Sequence, residues 1–340
     1  MIMKQRDYRI DLLRAFACIM VLFCHAPQHY SGQGGKVLVG IDNYFGMAWG
    51  PILFFVISGA CILNSQTDAI SFLKKRLSRV LVPTVLWSII YIFVEHSVWN
   101  SLPVVECFDC IPRILISPQY GLMWFMYALL GIYLLAPIIS KWLANSTQKE
   151  LLFYLILWSC VLIIPYLNAF GIDASPLLCG NNVFYYFGGF LWYAVAGYYC
   201  NRYVKINHFN TKITLLLVTI LISPVYAFLI KRFTGVLLDY YACVFPMMTT
   251  LFGFVFWKNV KLPGWTERGL VKQGIESISK LSFGIYLIHM LFMYPFRLWI
   301  AQFNFNYAIQ LPFTVLIIGV LSYVTSYIIS KLPFGKYIIG

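Results

Sequence analysis

Long apolar runs separated by short polar connections dominate the pattern of this 340-residue chain. A helix needs about 17 to 25 mostly apolar residues to cross the hydrocarbon core of a bilayer. On that criterion the pattern predicts about ten membrane-spanning helices. They lie near residues 9–27, 44–64, 81–99, 120–142, 151–168, 182–200, 212–230, 239–257, 281–300 and 309–330. The predicted fold class is therefore all-α, a polytopic bundle of membrane helices.

Composition supports this interpretation and leaves no room for a soluble domain. The chain is 61% hydrophobic and 11% charged, and its mean hydropathy is +0.77. So little polar surface cannot cover a soluble globule of this size. We predict one transmembrane domain over residues 1–340, and we interpret the first apolar run as a span rather than a cleavable signal peptide.

The distribution of Lys and Arg predicts the orientation of the bundle. With the N-terminus inside, all but five of the 25 basic residues lie at cytoplasmic ends or in cytoplasmic loops, as the positive-inside rule requires. The five predicted for the opposite side are Lys36, Arg113, Lys231, Arg232 and Arg297. Both termini are therefore expected in the cytoplasm. The net charge of +13 then needs no nucleic acid as a partner.

Cysteine usage adds one expectation. Cys107, Cys110 and Cys179 fall in predicted outer loops. If that side of the membrane is oxidising, we expect a structural disulfide among these three. We expect no metal site, because a lone Cys-x-x-Cys lacks a second ligand pair.

The first span, "LLRAFACIMVLFCH", contains two ionisable residues in an apolar run, Arg14 and His25. Eleven residues turn a helix about 20° past three full turns, so both lie on one face with an axial offset of about 16 Å. Ionisable residues at such depth usually face the bundle interior and mark a pathway or a reaction centre. Alternatively, Arg14 reaches lipid phosphate or pairs with Asp11, and His25 hydrogen-bonds a carbonyl.

A second basic element, "DAISFLKKRLSRVLVP", spans residues 68–83. Its apolar residues recur at helical spacing, while Arg76 and Arg79 lie off that face. This predicts an amphipathic helix on the cytoplasmic surface. It either anchors the chain to anionic lipid or uses Arg76 and Arg79 to bind a phosphate group.

Three further stretches combine polar groups with apolar or aromatic helix. "FFVISG" contains Ser58, and its alternative role is close packing through small residues. "WFMYALLGIYLLAP" begins at Trp124, and its alternative role is an aromatic interface belt. "SFGIYLIH" sets Ser282, Tyr286 and His289 at i, i+4 and i+7 on one stripe, where three polar groups need partners. A buried structural network is the alternative there.

Taken in order, five stretches resemble acyltransferase family 3, the integral membrane O-acyltransferases of surface polysaccharides and related acceptors. The stretches are "RIDLLRAFACIMVLFCH", "FFVISG", "KRLSRVLVP", "WFMYALLGIYLLAP" and "SFGIYLIH". The resemblance implies an acetyl-CoA-dependent O-acetyltransferase in the bacterial inner membrane. Its implied partners are acyl-CoA, a surface polysaccharide or lipid-linked glycan as acceptor, and the lipid bilayer. Self-association into a homo-oligomer stays open.

The resemblance also implies roles for individual residues. Arg14 and His25 match the family's Arg, ten residues, His pattern, in which the His is regarded as catalytic. Arg76 and Arg79 match the Arg-x-x-Arg motif associated with the acyl-CoA donor. The remaining motif positions that line the site are Ser58, Trp124, Tyr286 and His289. Many relatives carry a His just before the Leu-Trp-Phe of the fourth span, where this chain has Leu122, Met123 and Trp124.

Together these implications give a mechanistic hypothesis. His25 is the general base for a sugar hydroxyl, and Ser58, Tyr286 or His289 donates to the developing oxyanion. Direct transfer and a transient acyl-His intermediate both stay open. The alternative class is a transporter or flippase of a polysaccharide intermediate, in which the same polar residues line a conduit.

Overall fold

The computed structural model describes residues 7–26, 46, 48–64, 68–100, 103–180, 182, 184–234, 243–303 and 306–340. These residues form thirteen α-helices and no strand, which confirms the all-α class. The helices are α1 (Tyr8–His25), α2 (Leu53–Ile62), α3 (Ala69–Phe93), α4 (Val104–Cys110), α5 (Trp124–Asn145), α6 (Gln148–Val161), α7 (Ile164–Ala169), α8 (Leu191–Tyr203), α9 (Phe209–Thr234), α10 (Val244–Asn259), α11 (Gly269–Ile300), α12 (Tyr307–Lys331) and α13 (Gly335–Ile338).

Among the described residues, five helical segments are long and apolar enough to cross a membrane. They are Ala69–Phe93, Gly121–Asn145, Gln148–Ala169, Gly269–Ile300 and Tyr307–Lys331. Shorter apolar helical segments occupy Ala48–Ile62 and Phe209–Ile222. Each of the ten segments predicted from the sequence contains helix. The count of about ten spans and the cytoplasmic position of both termini stay predictions.

The basic segment and the span that follows it form one helix, α3. Asp68 caps this helix by accepting a hydrogen bond from the Ser71 backbone N–H at 3.1 Å, and the helix then continues through Pro83 to Phe93. The predicted amphipathic helix over 68–83 and the predicted span over 81–99 therefore lie on one continuous helix. A proline such as Pro83 is tolerated inside an apolar helix when neighbouring groups bind the backbone carbonyl that it leaves without a partner.

The described residues cluster into two compact units, which we describe separately. The first unit comprises Met1–Asn64 and Asn145–Tyr323, and the second comprises Ser65–Ala144 and Val324–Gly340. The prediction of a single transmembrane domain concerns the whole chain and stays a prediction.

In the first unit, α2 and α8 pack through glycines. A Cβ at Gly59 would overlap the carbonyl oxygen of Ala194, and a Cβ at Gly197 would overlap that of Val56. The two helix backbones can approach this closely only because neither glycine carries a side chain. The packing alternative for "FFVISG" is thus confirmed at Gly59.

A π-helical turn, Ala48–Ile52, precedes α2 and packs against α1 and α10. The Trp49 ring meets Phe16 of α1 edge to face at 5.5 Å. Thr250 of α10 donates its hydroxyl to the Ala48 carbonyl at 2.6 Å. Gly253 leaves room for the Trp49 ring, since a Cβ there would overlap it. These contacts fix the turn between α1 and α10.

The second unit is built on α3. Trp87 donates its indole N–H to the Ile338 carbonyl at 2.8 Å, which ties α3 to α13. Ile92, Cys107 and Ile114 form an apolar cluster. All nine cysteines lie within the described part of the chain, and none of them forms a disulfide there. The disulfide expected among the three outer-loop cysteines is therefore not formed, and Cys107 serves as a small apolar side chain.

Candidate active site

The candidate site lies where α1 packs along α11 in the first unit. In the first turn of α1, the Asp11 carboxylate is buried and accepts a hydrogen bond at 2.7 Å from the hydroxyl of Ser279, the eleventh residue of α11. Further along, the Cys18 thiol points to the Ser282 carbonyl at 3.8 Å. Contacts therefore advance along both helices in the same order, so α1 and α11 run parallel. The C-terminal halves of α1 and α11 bring His25, Tyr286 and His289 together.

Two histidines meet across this helix pair. The ring centroids of His25 and His289 lie 5.2 Å apart, with the planes tilted by 42°. His289 is fully buried. His25 is half-buried, but its Nδ1 is buried and has no hydrogen-bond partner among the described residues. The His25 ring thus faces a polar group of the neighbouring helix, and its Nδ1, which has no hydrogen-bond partner within the described part of the chain, is available for a substrate.

Backbone geometry determines the tautomer of His289. Its Nδ1 lies 2.6 Å from the Tyr286 carbonyl oxygen, which can only accept, so Nδ1 carries the proton. In the neutral ring, Nε2 is then an acceptor, and within the described residues it has no hydrogen-bond partner. The Tyr286 ring, also buried, lies 6.0 Å from the His289 ring. Tyr286, His289 and His25 therefore form one continuous cluster.

Arg297 also belongs to the site, although none of the sequence motifs includes it. Its Nη1 donates to the His25 carbonyl oxygen at 3.0 Å, and only 4% of the residue is exposed. The positive-inside rule places Arg297 on the outer side of the membrane, which stays a prediction, and the structure adds that its guanidinium turns into the protein. The signal was present in the sequence: Arg297 is an ionisable residue inside a predicted span, eight residues after His289.

Arg14 and Ser58 are also in the first unit. One unbroken helix, α1, contains both Arg14 and His25, which confirms the basis of the predicted 16 Å offset. Arg14 is half-buried. Ser58 is half-buried on α2, next to the Gly59 contact. No contact recorded between described residues joins Ser58 to the histidines, so its catalytic role stays a prediction.

Arg76, Arg79 and Trp124 belong to the second unit. The Arg76 guanidinium lies 5.9 Å from the centroid of the Phe72 ring, a cation–π distance. Arg79 is exposed and lines a cavity of about 320 Å³ together with Lys336. Trp124 begins α5 and meets Phe125 edge to face at 6.1 Å. Their assignment to the acyl donor stays a prediction.

The N-cap of α3 adds an electrostatic detail near the two arginines. The Ser71 backbone N–H donates to the Asp68 carboxylate, and this hydrogen bond holds the Asp68 pKa below its usual value of 3.8. The positive end of the helix dipole also stabilises a carboxylate at this position. The first turns of α3, which carry Arg76 and Arg79, are therefore anchored by an ionised cap.

Apolar helices long enough to cross a bilayer, and a histidine pair in contact between two packed helices, define a multi-pass membrane protein with a candidate acid–base centre. The chain belongs to acyltransferase family 3, because the family model, described as an acyltransferase domain, matches residues 7–331. This confirms the resemblance seen in the sequence. The family supports acyltransferase activity in a membrane protein.

Curated relatives from Staphylococcus aureus are similar to this chain over nearly its whole length. Each carries the description "Probable poly-beta-1,6-N-acetyl-D-glucosamine export protein". A relative from one strain is 20% identical, covering 99% of this chain and 97% of its own length. A relative from another strain is 21% identical over the same shares. No solved structure matches the chain.

Proposed function

We propose that this protein is a membrane O-acyltransferase that transfers an acyl group, acetyl in the first instance, from acyl-CoA to a sugar hydroxyl. The observation that carries the proposal is the contact between the His25 and His289 rings at 5.2 Å. Acyl transfer to a hydroxyl needs a positioned base, and imidazole is the side chain that most often supplies it. Family membership supplies the class of reaction.

In the proposed reaction, His25 is the general base. It takes the proton of the sugar hydroxyl as the oxygen attacks the thioester carbonyl of the acyl donor. The tetrahedral intermediate then expels the CoA thiolate, which takes that proton from the His25 imidazolium. Atoms and charge balance without any further reactant. A variant in which the imidazole itself carries the acyl group transiently is a second route.

In this proposal His289 does not donate to the oxyanion, although its motif position suggests that role. Its Nδ1–H is already donated to the Tyr286 carbonyl. Neutral His289 therefore presents Nε2 as an acceptor, which suits it to hold the acceptor hydroxyl beside His25. The oxyanion then needs a hydroxyl donor, for which Ser58 and Tyr286 are the proposed candidates.

The donor assignment rests on the family motifs. We assign the phosphates of acetyl-CoA to guanidinium groups, because these bind phosphate through two parallel hydrogen bonds. The proposed donor-binding residues are Arg14, Arg76, Arg79 and Trp124. The offset of about 16 Å between Arg14 and His25 along α1 is comparable to the reach of a pantetheine arm. This supports a thioester near His25 when the phosphates are held at the start of α1.

The acceptor is proposed as a hydroxyl of a surface polysaccharide or a lipid-linked glycan, and the location as the bacterial inner membrane. The test compares cells with and without this chain by mass analysis of surface glycans. We expect an acetyl increment that depends on the chain. Purified protein in liposomes with labelled acetyl-CoA should then transfer the label to those glycans. Glycans identical in both cells, and no transfer in liposomes, would contradict the proposal.

A second candidate function is export of a polysaccharide. The observation that favours it is the similarity of this chain to Staphylococcus aureus relatives described as probable export proteins. Polar residues at a helix interface can also line a conduit. Translocation of a labelled glycan into liposomes without acyl-CoA would support export, whereas label transfer from acetyl-CoA supports the acyltransferase.

A further inference from the structure

Arg297 is a buried cation eight residues beyond His289 on α11. Removing a guanidinium from water is expensive unless its N–H groups are satisfied. Part of that cost is offset by a bond to the backbone, since Nη1 donates to the His25 carbonyl oxygen at 3.0 Å. Hydrogen bonds from charged donors are stronger than those between neutral groups. The contact is therefore a strong constraint on one particular residue of α1.

The constrained residue is the last one of α1. The helix ends at His25, and the final carbonyls of a helix lack partners within it. Such ends fray, and they carry the negative end of the helix dipole. A guanidinium on the terminal carbonyl satisfies the acceptor and complements the dipole. Without it, the residue that carries the proposed base would occupy the most mobile turn of its helix.

Both contacts to His25 come from the same helix. His289 meets the His25 ring at 5.2 Å, and Arg297 binds the His25 backbone at 3.0 Å. Two contacts from the same helix define the position of His25 much better than one contact would. A shift of about 1 Å in a reacting group can reduce a rate about 100-fold.

We propose that Arg297 is a positioning residue, which holds the terminal turn of α1 so that the His25 imidazole keeps its place beside His289. This inference rests on the proposed function. Arg297 acts through the His25 backbone and touches neither substrate. Its loss therefore impairs turnover rather than donor binding.

The experiment compares three substitutions in the full-length protein. Arg297→Met removes every donor, Arg297→Gln keeps an amide donor without charge, and Arg297→Lys keeps a charged donor. The exposed Arg113 supplies the matched control, Arg113→Met. We expect Arg297→Met to reduce kcat about 100-fold, with KM for acetyl-CoA nearly unchanged. Arg297→Lys should recover part of the loss, and Arg113→Met should retain wild-type turnover.

A second measurement does not depend on activity. Diethyl pyrocarbonate modifies accessible imidazoles, and mass spectrometry of the digested protein gives the rate at each histidine. We expect His25 to react several-fold faster in Arg297→Met than in wild type, while His208, which is exposed, reacts at an unchanged rate. If Arg297→Met fails to fold, Arg297→Gln and Arg297→Lys carry the same comparison.

The outcomes separate the two proposals. Unchanged kcat and unchanged His25 labelling in a folded Arg297 variant would overturn the positioning role. A raised KM for acetyl-CoA with unchanged kcat would also overturn it, because the guanidinium would then bind the donor. If wild-type protein transfers no acyl group, the proposed function fails, while the labelling rates still decide whether Arg297 holds His25.

Discussion

The imidazole rings of His25 and His289 lie 5.2 Å apart, centroid to centroid, on two helices that run in the same direction. The backbone fixes one of these rings, because His289 Nδ1 donates to the Tyr286 carbonyl. The other ring is held at the end of its helix, where Arg297 binds the His25 carbonyl. The pair thus combines an oriented acceptor with a base candidate.

Replacing His25 should stop the reaction without unfolding the protein. We expect His25→Ala to reduce acyl transfer by a factor of about 100 to 10,000, the usual contribution of a positioned acid–base group. Turnover of labelled acetyl-CoA in liposomes measures the effect. His208→Ala is the control, because His208 is exposed. Full turnover in a folded His25→Ala protein would remove His25 from the mechanism.

Replacing His289 should impair the reaction less than replacing His25. Loss of an acceptor that holds the substrate hydroxyl costs about 1 to 3 kcal/mol, which corresponds to about a 5-fold to 160-fold lower kcat/KM for the glycan. Steady-state kinetics with varied acceptor measure this. Tyr286→Phe tests the proposed oxyanion donor beside it. A His289→Ala protein with unchanged acceptor kinetics would show that Nε2 does not meet the substrate.

The basic helix α3 offers a test of donor binding. We expect the double substitution Arg76→Gln and Arg79→Gln to weaken acetyl-CoA binding about tenfold or more, since charged hydrogen bonds to phosphate are lost. Lys74→Gln with Lys75→Gln is the matched control, because both lysines are exposed on the same helix. Titration with acetyl-CoA reports the affinity. Equal, small effects in both pairs would assign the basic face to lipid anchoring.

The close packing of α2 on α8 predicts a stability effect. Gly59→Ala places a methyl group on the Ala194 carbonyl, and overpacking of this kind costs about 1 to 3 kcal/mol. Gly131→Ala, inside α5, meets no heavy atom within 4 Å and should stabilise its helix by about 0.5 to 1 kcal/mol. The midpoint of thermal unfolding in detergent should therefore fall for Gly59→Ala and rise slightly for Gly131→Ala.

The capping carboxylate of α3 predicts a pH dependence. The backbone N–H of Ser71 lowers the Asp68 pKa, so the folded state favours the ionised form. The contribution to stability is present above the unfolded pKa and is lost as pH falls through the folded value. Amide exchange at the start of α3 should therefore become less protected as pH falls below 3.8. Asp68→Asn keeps an N-cap and should remove that dependence.

The sequence predicts the local part of this structure well. Hydrophobic runs identify the helical segments, and helical spacing correctly puts Tyr286 and His289 on one stripe. What spacing cannot supply is which helices pack together. The contact of His25 with His289 joins residues separated by most of the chain, and it follows from tertiary packing of α1 on α11.

Two features of the structure lie beyond local sequence rules. The orientation rule uses position along the chain, so it gives Arg297 a predicted side of the membrane and says nothing of its burial. The structure buries Arg297 against the end of α1. The amphipathic pattern over 68–83 and the apolar pattern after it differ, although Pro83 does not interrupt the backbone helix that contains both.

The pairing of α1 with α11 has a consequence for biogenesis. Ser279, which donates to Asp11, lies 268 residues later in the chain, and Arg297, which holds the His25 carbonyl, lies 272 residues beyond it. A ribosome therefore delivers the first helix long before these partners exist. During that interval Asp11 and His25 lack these two contacts, so translation of α11 is the step that completes the proposed catalytic centre.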